Sequence, residues 1–81
     1  MDPIGKVIHY YDKIGVAIID LKSGTIKIGD KLKFKKGEEE FTQEVTSLQI
    51  EHKVVEEVKK GQEFGLKADQ AVEEGTEVFK A

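Results

Sequence analysis

The stretch that decides the fold is Leu21-Lys-Ser-Gly-Thr-Ile-Lys-Ile-Gly-Asp-Lys-Leu-Lys-Phe34. It reads as a strand end, a turn at Ser23-Gly24, a short extended piece, a second turn at Gly29-Asp30, and a new strand. Both glycines can take φ > 0 without a Cβ clash. If Thr25 to Ile28 is extended, Ile26 and Ile28 point the same way. Beyond the second turn, Leu32 and Phe34 alternate with Lys31, Lys33 and Lys35, the pattern of a half-buried strand. Two reversals this close together exclude a helix and suit a small, curved sheet.

The rest of the chain continues the theme. Residues 4–11 are rich in β-branched and aromatic types, although adjacent Val7 and Ile8 blur the alternation. Residues 14–21 form the most apolar run. Ala17, Ile19 and Leu21 make one face and Val16 and Ile18 the other, as expected of a central strand or a partner surface. Lys36-Gly37-Glu38-Glu39 is a hairpin connection. The return strand passes through Phe41, Gln43 and Val45, then Leu48 and Ile50, and its slipped period predicts a β-bulge near Thr46-Ser47. Lys31, Lys33 and Lys35 then face Glu40 and Glu44 across the hairpin. Val54, Val55 and Val58 have helical spacing before Gly61, which predicts a turn or one helical turn over 51–61. Strands resume at 62–68 and 77–80. The expectation is an all-β domain over residues 1–81, core about 4–80: a small, closed, six- or seven-stranded antiparallel barrel. Gly24, Gly29, Gly61, Gly65 and Gly75 are its expected turn glycines.

Composition bounds the chemistry. The 81 residues suffice for one small core. Cysteine is absent, which excludes disulfides and thiolate metal sites and fits the cytoplasm. No apolar run approaches a membrane span, and Met-Asp-Pro-Ile-Gly-Lys at the start does not read as a signal peptide. The net charge of -3 is unevenly spread. Residues 1–36 hold eight lysines and four aspartates, a balance of +4, and residues 37–81 hold five lysines and twelve acids, a balance of -7. There is no arginine. Lysine attracts phosphate as a point charge but lacks the planar fork that reads a base edge, so no DNA partner is expected.

Around these residues a family resemblance forms. Gly24-Thr-Ile-Lys-Ile-Gly-Asp30 after Ala17-Ile-Ile-Asp-Leu21 resembles the second domain of translational GTPases such as elongation factor Tu. Val45 to Ile50, Lys60-Gly61, Phe64-Gly65-Leu66 and Glu74-Gly75 follow in the same order, so the resemblance spans residues 4 to 80. It is similar also to stand-alone elongation-factor-like proteins, and to the barrel appended to some peptidase-like RNA-modifying enzymes. The resemblance implies the elongation-factor-type barrel and association with translation, with tRNA, ribosomal RNA or the ribosome as partner. In the family this barrel helps hold the aminoacylated end of tRNA. The corresponding positions fall near Ile18, Gln49, His52 and Glu63, and all four depart from the family's residue types. No Gly-x-x-x-x-Gly-Lys-Ser/Thr loop is present, which excludes GTP hydrolysis.

Candidate site residues are few. Lys22, Lys27, Lys31, Lys33, Lys35 and Lys36, with Gln49 and His52, form the candidate RNA- or partner-binding set. His52 beside Glu51 could serve as base or ligand, but a histidine bonded to a nearby carbonyl is the plainer reading. A two-histidine zinc site that includes His9 would need a third ligand such as Glu51 or Glu63, and no close spacing supports one, so no metal is expected. One of Tyr10 and Tyr11 should reach the surface, although an aromatic plug of the barrel is favoured over a base-stacking platform. Serine occurs only at 23 and 47. No catalytic residues and no cofactor are expected, and the chain reads as not an enzyme. The expected function is a translation- or RNA-associated adaptor. The alternative is a protein-interaction module that partners a separately encoded RNA-modifying or peptidase-like enzyme.

Overall fold

A computed structural model describes residues 2–51 and 53–81. The described residues are all-β, with ten strands in two sheets. In chain order they are β1 (Gly5–Tyr11), β2 (Val16–Leu21), β3 (Thr25–Lys27), β4 (Lys31–Lys36), β5 (Glu39–Glu44), β6 (Leu48–Ile50), β7 (Lys53–Val55), β8 (Glu57–Lys59), β9 (Glu63–Lys67) and β10 (Glu77–Lys80). Eight strands run in the order β5-β4-β10-β1-β2-β9-β6-β7, and β3 pairs with β8 as a second sheet.

This corrects the expected closed barrel of six or seven strands. The eight-stranded sheet is open, with β5 and β7 as its two ends. Closure needs the end strands to meet with a shared tilt and stagger. Here the return strand stops at Glu44, and β6 begins only at Leu48, so no single long strand carries the sheet round. No strand bulge spans this gap. Instead the turn holds it: Gly29 N–H donates to the Val45 carbonyl at 2.8 Å, and Val45 N–H donates to the Asp30 carbonyl at 2.7 Å. The open ends are protected in the usual ways, β5 by its glutamates and β7 by being three residues long.

The turn or helical turn predicted over 51–61 is replaced, among the described residues, by strands. Its described residues form β7 and β8, as suits β-branched valines, whose stiff χ1 favours the pleat over the helix. Val58 lies opposite Ile26, and both side chains are fully buried, so the small sheet closes over the core. Ile28 departs from the reading that paired it with Ile26. The Asp30 carboxylate accepts from Lys27 N–H at 2.9 Å, and Asp30 N–H donates to the Lys27 carbonyl at 3.1 Å. The chain therefore turns after Lys27, and Ile28 is left 44% exposed.

In β1 the register shifts between Val7 and His9, which lets adjacent Val7 and Ile8 share one strand, Val7 buried and Ile8 exposed. In β2, Ala17, Ile19 and Leu21 enter the core, while Val16, Ile18 and Asp20 share the opposite, half-buried face. Phe34 and Phe64 are the largest core side chains, and Phe34 stacks on Phe41 with ring centroids 5.1 Å apart. Gln43 is buried at 4% exposure. Its Nε2 donates to the Lys67 carbonyl and its Oε1 accepts from Asp69 N–H, each at 2.9 Å, so it ties β5 to the end of β9.

Candidate functional site

The outer face of β2 lines an open groove that brings apolar and acidic side chains together. Because side chains alternate along a strand, Val16, Ile18 and Asp20 project together away from the core. On the β9 side their register neighbours are Lys67, Gly65 and Glu63. Gly65 is also opposite Gln49 of β6. A Cβ at Gly65 would lie 3.2 Å from Val16 Cγ1 and 3.3 Å from Ile18 Cδ1. Its absence leaves these two side chains the room that a Cβ would crowd. The result is an open groove of about 850 Å³ with Val16 and Ile18 in its floor. Tyr11 and Ile14, at 49% and 63% exposure, form its apolar wall.

Three carboxylates stand around this apolar floor: Asp20, Glu51 and Glu63. No lysine lines the groove among the described residues. Glu51 has φ of 52°, the left-handed conformation that a tight hairpin demands, and it sits just beyond β6. Gln49 and Glu63 both line the groove. His52 lies outside the described residues. Such a site can hold apolar side chains and cations together, and it repels phosphate.

The lysine set is not gathered into one free surface. Lys27 pairs with Glu57 at 3.8 Å, Lys33 with Glu40 at 3.3 Å, and Lys36 with Glu73 at 2.7 Å. Lys36 also donates to the Glu74 carbonyl at 3.1 Å. The Lys36 bond and charge hold the Glu73 carboxyl below its usual range. Lys31 and Lys35 stand opposite Glu44 and Glu40 in the β4–β5 ladder, where opposite charges support pairing. Lys22 follows β2, and its N–H donates to the Ile4 carbonyl at 2.7 Å.

Among the other singled-out residues, Gly24, Gly29, Gly61 and Gly75 have positive φ, whereas Gly65 lies inside β9. His9 Nδ1 is 3.1 Å from the Glu74 carboxylate, and its ring meets Tyr11 edge-on. Tyr10 packs against the core and Tyr11 does not. No group of three metal-ligating side chains occurs among the described residues. Asp20 is a groove residue that reading the sequence missed. The signal was available: an acid on the same face as Val16 and Ile18.

The comparisons with known proteins favour the alternative, a module associated with a peptidase-like enzyme, over the expected translation- or RNA-associated adaptor. No family profile matches the chain. An uncharacterized protease of Methanocaldococcus jannaschii is 40% identical over 77 residues, which cover 94% of this chain and 19% of that protein. The chain thus spans about a fifth of the length of the curated relative it matches. Two crystal structures of the C-terminal domain of a Geobacillus thermoleovorans protein assigned to the U32 peptidases share its fold. One, a selenomethionine variant, has a TM-score of 0.90 and covers 99% of this chain and 100% of that one; the other has 0.91, 99% and 92%. Both are 20% identical to it.

These matches overturn the elongation-factor resemblance. They also overturn what it implied: a translation- or RNA-associated adaptor with tRNA, ribosomal RNA or the ribosome as partner. The reading of the chain as not an enzyme is corrected by the same finding, since the matches lead to proteins named for proteolysis. No helix among the described residues is long and apolar enough to cross a membrane.

Proposed function

We propose that this chain is the protein-interaction module of a peptidase-type enzyme of the U32 kind. The carrying observation is the 40% identity to the M. jannaschii protease over 77 residues, a module-sized fraction of that protein. The fold shared with a U32 C-terminal domain supports the same reading. An open groove with an apolar floor is the kind of surface such a module offers a partner. The lack of cysteine is compatible with a cytoplasmic setting.

Affinity capture tests this. The tagged chain is incubated with native extract, treated with ribonuclease, and its companions are identified by mass spectrometry. A peptidase-type protein in near-stoichiometric amount is the expected result. Recovery of ribosomal or tRNA-linked material that disappears with ribonuclease, and no peptidase-type protein, would refute the reading.

A further inference from the structure

The groove narrows the partner's chemistry. In the β2–β9 ladder, Asp20 and Glu63 are directly opposite each other. Like charges so placed repel. Neither forms an ion pair among the described residues, and Lys6, the neighbour of Asp20 on the β1 side, makes no ion pair with it. Glu51 adds a third carboxylate to the same groove. A cation placed here relieves the repulsion. Beside it, Val16, Ile18 and Ile14 offer apolar contact, and Gly65 keeps the floor low enough to admit a chain.

We propose that this groove docks a basic, apolar peptide segment of a protein partner, with a lysine or arginine of that segment between Asp20 and Glu63 and its apolar neighbours on Val16, Ile18 and Ile14. The proposal rests on the reading of the chain as a protein-interaction module and specifies what it recognises. The three carboxylates do not form a group that could hold a metal ion, and a bare ion would leave the apolar floor unused. RNA brings phosphate against three carboxylates. A basic, apolar segment matches both halves of the groove. Long cationic side chains suit it, because their methylene stems lie on apolar surface while the charged ends reach the acids.

The test is fluorescence anisotropy with the full chain and two labelled pentapeptides, Leu-Lys-Val-Lys-Leu and Leu-Glu-Val-Glu-Leu. The basic peptide is expected to bind saturably and the acidic one not to bind. Binding should weaken as salt rises from 0.05 to about 0.5 M, because screening shortens the reach of exposed charges. Glu63→Gln and Asp20→Asn should each weaken binding about fivefold or more, the loss of one charge-assisted contact. Gly65→Ala should weaken it by crowding the floor. Both charge variants should melt no lower than the parent chain, which separates lost binding from lost folding. An unlabelled RNA oligonucleotide should not compete. Equal binding of the two peptides, no binding of either, unchanged binding by both charge variants, or displacement by RNA would each overturn the proposal. Those outcomes leave the peptidase association to be decided by capture, which does not depend on the groove.

Discussion

Asp20 of β2 and Glu63 of β9 face each other as direct register partners across an antiparallel ladder. Two carboxylates in these positions oppose the pairing that the strands otherwise favour. Around them, Ala17 to Leu66 and Ile19 to Phe64 are register pairs of buried apolar residues. The core supplies the stability, and the outer face carries a local conflict. A groove that retains such a conflict is arranged for a ligand more than for its own stability.

Removing one of the two charges should therefore stabilise the free chain. Glu63→Gln or Asp20→Asn is expected to raise stability by about 0.2–1 kcal/mol, toward the lower end because Glu63 is solvent-screened. Thermal melting at low salt checks this, and the gain should shrink as salt is added. Equal or lower melting temperatures for both variants would contradict the repulsion.

Gln43 should be costly to replace with an apolar residue of similar size. Its amide satisfies the Lys67 carbonyl and the Asp69 N–H at once, from a buried position. Gln43→Leu strands both backbone groups and should destabilise by about 1–3 kcal/mol. Urea unfolding measures this. A midpoint like that of the parent chain would show that the two bonds contribute nothing.

Two glycines should fail for different reasons. Gly29 has φ of 97° and nothing within 4 Å of where a Cβ would sit, so Gly29→Val is penalised by backbone strain of roughly 1–3 kcal/mol and not by a Cβ clash. Gly5 lies in ordinary strand conformation, but a Cβ there would sit 2.8 Å from the Asp20 carbonyl oxygen. Gly5→Ala should therefore push β1 from β2. It should destabilise more than Gly65→Ala, whose Cβ is crowded by the Val16 and Ile18 side chains, which can shift, and meets the Ala17 carbonyl oxygen only at an ordinary 4.0 Å. Paired thermal melts decide the order.

Asp30 should make the fold acid-sensitive. The Lys27 N–H bond holds its carboxyl below the usual value near 3.8. Burial opposes this shift, and the Lys80 ammonium at 3.2 Å reinforces it. A lowered folded value means the unfolded state takes up protons first as pH falls. The contribution is fully present above about pH 4–5 and is lost as pH drops through the folded value. Asp30→Asn should flatten that part of the stability curve while leaving neutral-pH folding intact. An unchanged acid limb would contradict the assignment.

Much of the sheet was legible because alternation is a local signal. Ala17, Ile19 and Leu21 against Val16 and Ile18 sort into core and outer face as the sequence reads, and the β4–β5 hairpin places Lys35 opposite Glu40 and Lys31 opposite Glu44. Pairing across the chain was less legible. Nothing near Val58 announces that it meets Ile26, so β8 reads in the sequence as part of a turn or helical turn over 51–61, whereas the extended reading of β3 holds. Closure was misread because Val45 is held by hydrogen bonds to the Gly29-Asp30 turn, which no periodicity reports. The groove was half visible. Ile18, Gln49 and Glu63 were singled out through a resemblance that the matches overturn, whereas Asp20 and Glu63 become partners only through the β2–β9 register.

The central claim is that the β2–β9 face, not the lysine-bearing strands, meets a peptidase-type partner. Photocrosslinking tests it most directly. A photoreactive residue at Ile14, 63% exposed on the groove wall, is compared with one at Lys35 of β4 in native extract. The account predicts that the Ile14 probe attaches to a peptidase-type protein, through a segment with a lysine or arginine among apolar residues, and that the Lys35 probe does not. Attachment of the Lys35 probe to RNA or ribosomal protein, with the Ile14 probe idle, would contradict it.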